Sequence, residues 1–338
     1  MISLLLLPLL TGMSPYREAL PGYLYQFPRD HFEHQDFRTE WWYYTGNVTD
    51  LAGERYGFEL VFFRQGENRQ NRETESKSAW AVHDVYLAHA ALTDAKGKEF
   101  WYEERLNRAG PGVAGASFDK QRIWNGNWQS DWNGENQTLD AVTEHFKFHL
   151  QLKPEKPFVI QGENGVSQKG EGEGRASHYV SFPLLQATGN INGKPVTGRA
   201  WMDHEWFTEQ LAPDQIGWDW FSIQLDNNTE LMLFELRRRD GSIDKHSSGT
   251  YIDDKGKARH LRSQDFKLTP MSYWENYPVQ WRIELPSLHI DIESKAVLKN
   301  QELKGPPSYW EGAIDYKGTQ TGVGYIEMTG YKGPVKFQ

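Results

Sequence analysis

Hydrophobic and polar residues alternate with a period of two along much of the chain, which is the spacing of a strand with one face buried. Residues 145–152 show it most plainly: Phe146, Phe148, Leu150 and Leu152 fall on one side, and His145, Lys147, His149 and Gln151 on the other. Residues 58–64 are apolar almost throughout and predict a strand buried on both faces. Residues 85–92 fit a helix or a strand by composition. The turn at Asp94, Ala95, Lys96 and Gly97, followed by Phe100, Trp101 and Tyr102, favours a hairpin. Asn192-Gly193 between two extended runs is the strongest short hairpin signal. Residues 322–328 read as a late strand, and the best helix candidate is a short connector around Thr208 to Leu211.

Three loops interrupt this pattern. Residues 65–78 are polar and predict an exposed loop, residues 162–174 are glycine-rich and predict a mobile one, and residues 253–262 predict a charged hairpin tip or linker. The glycines at 170, 172 and 174 alternate with glutamates and lack a Gly-Lys-Ser/Thr ending, so they do not form a phosphate cradle. A plan also recurs. Trp41, Trp42, Tyr43 and Tyr44 lead to an apolar strand ending in Arg64; Trp218, Trp220 and Phe221 lead to another ending in Arg237. The repetition predicts an all-β chain of two tandem antiparallel barrels, each able to hold one small apolar ligand.

Composition narrows the function classes. The 338 residues suit two domains. Aromatics reach 14%, which favours strands and flat apolar surfaces. A net charge of -9 argues against binding nucleic acid. Zero cysteines exclude disulfides, a thiolate nucleophile and Cys-ligated metal. Residues 2–10 are nearly all apolar, too short to span a bilayer, and read as a truncated secretory signal in a periplasmic or secreted protein. No later stretch is long and apolar enough to cross a membrane. The expected division is a signal-like or disordered segment at 1–21, a first barrel at 22–207 and a second at 208–338.

The chain resembles the lipocalin-like carotenoid 1,2-hydratase (hydroxyneurosporene synthase) family, with its predicted secreted hydrolases and transporter-associated, AttH-type branch. The likeness rests on Asp30-His31 with His34, Glu40-Trp41-Trp42-Tyr43-Tyr44-Thr45-Gly46-Asn47, and Tyr56-Gly57-Phe58-Glu59-Leu60 with Phe62-Phe63-Arg64. It continues through Gly198-Arg199-Ala200-Trp201-Met202-Asp203-His204-Glu205-Trp206 and Gly217-Trp218-Asp219-Trp220-Phe221. It closes on Tyr309-Trp310-Glu311-Gly312-Ala313 and residues 324–331. The resemblance implies two lipocalin-like (calycin) barrels and a pocket involving both. It implies a hydrophobic unsaturated, isoprenoid- or lipid-like ligand and hydro-lyase chemistry without a cofactor. The alternative it implies is a periplasmic carrier or an accessory of an ABC transporter, without chemistry. Carbohydrate binding by exposed indoles is a weaker third reading.

The resemblance places the proposed acid at Asp203, with His178 as a partner orienting water. Period two puts Arg199, Trp201, Asp203 and Glu205 on one face. Beside an indole a carboxyl group is poorly solvated and holds its proton, whereas a salt bridge to Arg199 would ionise it. Both readings stand at this point. Catalytic candidates are therefore Asp203, His178 and Trp201; substrate-binding candidates are Trp41, Trp42, Tyr44, His204, Glu205, Trp218 and Trp220, whose simplest alternative role is core packing. His31, His34, Glu40 and His204 are metal-ligand types, but spacing does not assemble them, and no metal is expected. No Gly-x-Ser-x-Gly motif supports a serine hydrolase.

Overall fold

A computed structural model describes residues 16–67, 84–305 and 308–335. Strands run through β1 (Thr39–Asp50), β2 (Arg55–Gly66), β3 (Asp84–Asp94), β4 (Glu99–Arg108), β5 (Ala114–Ser117), β6 (Arg122–Asn125), β7 (Trp128–Asn133) and β8 (Asn136–Val142). They continue as β9 (Lys147–Pro154), β10 (Val159–Ile160), β11 (Ser167–Gln168), β12 (Ala176–Ile191) and β13 (Lys194–Phe207). The later set is β14 (Gln215–Leu225), β15 (Glu230–Arg238), β16 (Ser248–Ile252), β17 (Ala258–Arg262), β18 (Lys267–Trp274), β19 (Tyr277–Leu285), β20 (Ile290–Ala296), β21 (Glu302–Leu303), β22 (Tyr309–Gly318) and β23 (Thr321–Met328). Among the described residues, helix is confined to short 3-10 turns.

The strands form two antiparallel sheets, each curled into a lipocalin-like barrel. The first runs β4-β3-β2-β1-β13-β12-β9-β8-β7-β6-β5, with β10 and β11 on β12. The second runs β17-β16-β15-β14-β23-β22-β20-β19-β18, with β21 on β22. Each barrel is filled by its own apolar cluster, around Trp42, Phe58 and Leu150 in one and Phe221, Trp281 and Ile326 in the other. A third cluster, including Tyr43, Trp201, Trp220 and Tyr325, fills the space between them.

This explains why β1, β12 and β13 lack a clean alternation: one face lines a barrel interior and the other meets the second barrel. At a bulge between Phe182 and Leu185 the β12–β13 register slips. Gln224 of the second barrel donates to the Pro183 and Ala200 carbonyls there, at 2.8 and 2.9 Å. A buried Lys156–Glu230 pair at 2.7 Å also bridges the barrels.

The β12–β13 hairpin turns on Asn192 and Gly193, both at positive φ (52° and 82°), the conformation an Asn-Gly turn supplies. Two expectations need correction. The connector around Thr208 to Leu211 is not helical: Glu209 forms a β-bridge with Arg175, and the Arg175 side chain takes the Leu211 carbonyl at 2.7 Å. Four residues are too few to nucleate a helix against such competition. The glycine-rich stretch is packed, with Val166, Ser167 and Lys169 buried, because its glycines take the positive φ its turns require. Residues 253–262 are a hairpin tip and its return strand β17. Of the polar loop at 65–78, Gln65 and Gly66 belong to β2, and 68–78 lie outside the described residues. Residues 1–15 also lie outside them, whereas Tyr16 and Ala19 are buried against the first barrel.

Candidate active site

Antiparallel register determines which side chains meet, because residues directly opposite one another share a face. Across β3, β2, β1, β13 and β12, one row reads His89, Val61, Tyr43, Asp203, Ser181. The next reads Leu87, Phe63, Trp41, Glu205, Tyr179. Both rows face the second barrel. Opposite them, Trp220 of β14 pairs with Phe234 of β15 and Glu327 of β23, with Trp218 two residues along. Between the two walls lies a largely apolar cavity of about 420 Å³, whose lining includes the exposed Leu106.

Asp203 is the buried acid of this cavity. Tyr179 donates to one of its oxygens at 2.5 Å, and Trp201 Nε1 (2.7 Å) and Ser181 donate to the other. Trp220 Nε1 in turn donates to the Tyr179 hydroxyl at 3.0 Å. Arg199 does not reach it; that guanidinium points to Asp226, 4.0 Å away. Burial pushes the Asp203 carboxyl up to about 7 against the pull of its three donors, and the charge of Glu205 adds to the rise. Glu327 faces the same cavity and accepts from Trp218 Nε1 at 3.1 Å. Burial, opposed by that bond and helped by Glu205 and Asp203, takes it to about 7 as well. Burial also raises two more carboxyls: Glu59, helped by the charge of Glu327 and opposed by hydrogen bonds to Tyr309 and Glu311, and Glu311, helped by the charges of Glu59 and Glu327.

This has a consequence for stability. Between 3.8 and about 7 the folded chain keeps a proton on Asp203 that the unfolded chain has released. The stabilising contribution is therefore full below 3.8 and is lost as pH rises through about 7. Asn at this position cannot ionise. We expect Asp203→Asn to gain roughly 2–3 kcal/mol relative to the parent between about pH 5 and about pH 8, read from urea unfolding at both. A difference independent of pH would mean that Asp203 is ionised throughout.

The sequence-predicted residues divide by face. Trp41, Glu205, Trp218 and Trp220 line the cavity with Asp203, and Trp201 buttresses it. Trp41 and Trp218 stack at 5.9 Å across the gap between barrels. Trp42, Tyr44 and His204 do not line it. They point into the first barrel, where Trp42 lies on His204 at 4.9 Å and Tyr44 meets Ser130 at 2.9 Å. His178 is also on the wrong face for a partner of Asp203. It packs among Tyr23, Phe37 and Trp206, its Nδ1 bonds the Gly165 carbonyl at 3.0 Å, and burial lowers it to about 4. Its strand neighbour Tyr179 holds the place beside Asp203. Reading the alternation of β12 from Asp203's own face outward would have selected Tyr179 and Ser181.

The histidines form a separate network at the end of the first barrel. Glu40 Oε1 bonds His34 Nδ1 (2.7 Å) and His204 Nε2 (2.9 Å), and its Oε2 accepts from Arg64 Nε at 3.0 Å. The ligand atoms of His34, Glu40 and His204 lie within 4.8 Å of one another, so these residues could hold a metal. The Arg64 guanidinium already on Glu40 works against a second cation. Burial alone would raise the Glu40 carboxyl, but His34, His204 and Arg64 hold it well below its ordinary range. In the second barrel Arg237 pairs with Asp219 at 2.9 Å, but there burial outweighs the pairing and lifts the carboxyl to about 6.

Comparisons with known proteins agree with this architecture. An AttH-type crystal structure from Nitrosomonas europaea is 32% identical, with a TM-score of 0.83 over 93% of this chain and 99% of that one. Kievitone hydratase from Nectria haematococca shares the fold at a TM-score of 0.67 and 14% identity, over 94% of this chain and 97% of that one. The dehydratase asqC of Emericella nidulans is 22% identical over 288 residues, 73% of this chain and 77% of its own. The family described as AttH-like matches residues 18–331, so this chain is a member of the AttH-like family.

Proposed function

We propose that the chain is a hydro-lyase that adds water to, or removes it from, an apolar unsaturated small molecule bound between the barrels. The observation that carries this reading is Asp203: buried, in the cavity wall, unpaired with any cation among the described residues, and raised to about 7. The hydratase and dehydratase among its relatives support the reaction class.

In the hydration direction Asp203 gives its proton to the less substituted alkene carbon. Positive charge develops at the neighbouring carbon, where the faces of Trp41, Trp218 and Trp220 stabilise it. Water adds to that carbon, and Glu327 on the opposite wall, raised to about 7 and so partly ionised near neutrality, takes the surplus proton in its carboxylate form. Return of that proton to Asp203 completes the cycle. Dehydration runs the same steps backwards. Tyr179 orients the acid and is itself held by Trp220.

The test has two arms. Native mass spectrometry of protein from its own host looks for a retained apolar ligand. Incubation with acyclic isoprenoids in isotopically labelled water looks for label in the product alcohol. Ligand without labelled product would mark a carrier, and neither would remove the cavity from function.

A further inference from the structure

Lys169 takes no part in the steps above, yet it reaches the cavity from the packed glycine-rich stretch. Its main chain is fixed from both sides: the Lys169 N–H donates to the Arg175 carbonyl at 2.9 Å, and the Lys169 carbonyl accepts from Gln215 Nε2 at 2.7 Å. The side chain is buried, with 8% exposure. Its ammonium lies 3.8 Å from the Phe234 ring centroid and 5.1 Å from that of Tyr179. Its carboxylate partner is Glu205 Oε1, at 3.3 Å, and Glu205 also accepts from Ser177.

An ammonium carries three N–H donors, and one long contact with two ring faces does not replace the water it has lost. Arg64, the other cation in the cavity wall, has its donors taken by Glu40, Asp84 and the His34 and Phe37 carbonyls. Among the described residues, Lys169 is thus the lining cation with donors left for a ligand. Glu205 beside it disfavours an anionic guest, whereas a neutral oxygen acceptor suits both groups.

We infer that Lys169 anchors the ligand by a hydrogen bond to a neutral oxygen, so that the ligand is an oxygenated apolar molecule, such as a ketone, quinone or lactone, and not a plain hydrocarbon. This rests on the cavity being the ligand site. A hydrogen-bonding site of this kind rejects the analogue lacking the acceptor, because its own donor is then stranded.

The test compares geranylacetone with the hydrocarbon left when its carbonyl is replaced by CH₂, each displacing the neutral fluorophore N-phenylnaphthylamine. The parent protein should prefer the ketone about tenfold, in the range of a hydrogen bond to a charged group. Lys169→Met should abolish the preference and keep the affinity for the hydrocarbon. Glu205→Gln, which weakens the competing acceptor, should enlarge the preference and decides the matter should Lys169→Met not fold. Equal binding of both compounds to the parent, a preference that survives Lys169→Met, or one unchanged in Glu205→Gln would overturn the anchor while leaving the cavity as a ligand site. Binding of neither compound would overturn both.

Discussion

Replacing Asp203 by Asn is expected to cut hydration of a turned-over isoprenoid by about 10²–10⁴-fold, the usual worth of a positioned general acid, with ligand affinity little changed. Asn keeps the size of the side chain, so the cavity and the stacking of Trp41 on Trp218 remain. It has no acidic proton to give. Circular dichroism and fluorophore binding should match the parent while label incorporation disappears. Tyr179→Phe should do less, since it removes one of three donors and leaves the acid. Equal turnover by Asp203→Asn would make the residue structural and send the search for an acid to Glu327.

The largest loss of stability should come from the buried ion-pair network around Arg64. Arg64 is completely buried, and its guanidinium bonds Glu40, Asp84 and two carbonyls at 2.7–3.1 Å. Met in its place would fill similar volume but take a charged donor from two buried carboxylates and from both carbonyls. Breaking a buried ion pair from one side costs about 3–5 kcal/mol, and urea unfolding near pH 7 should show a loss of that size. Arg64 also borders the cavity, but it bonds neither Asp203 nor the donors on that carboxyl, so the loss is read as stability. A loss within about 0.5 kcal/mol, the range of ordinary surface substitutions, would mean that His34 and His204 satisfy Glu40 without the arginine.

The strands were legible because period two survives wherever one face is wet, as in Phe146, Phe148, Leu150 and Leu152. The two-barrel plan was legible from the repeated aromatic strand and terminal arginine, and the structure gives both arginines one job: Arg64 holds Glu40 and Arg237 holds Asp219. The face of each side chain was harder. On β1 and β12 both faces are buried, so nothing local separates Trp41 from Trp42, or His178 from Tyr179. A choice wrong by one residue moves a side chain to the opposite face. For Asp203 the indole on its own face suggested a dry carboxyl, left a salt bridge to Arg199 open, and needed the family resemblance to point to an acid. Glu327 and Lys169 carried no local signal. Glu327 reaches the site only when the second barrel docks, and Lys169 arrives on a stretch whose glycines suggest mobility when read alone.

The central claim is that Asp203 keeps its proton near neutral pH. Infrared difference spectra of the parent against Asp203→Asn, followed through a pH titration, isolate the carboxyl band of this one side chain. The account predicts a protonated-acid band that persists at pH 6 and titrates with a midpoint of about 7. A midpoint near the ordinary 3.8 would contradict it and leave the cavity without its acid.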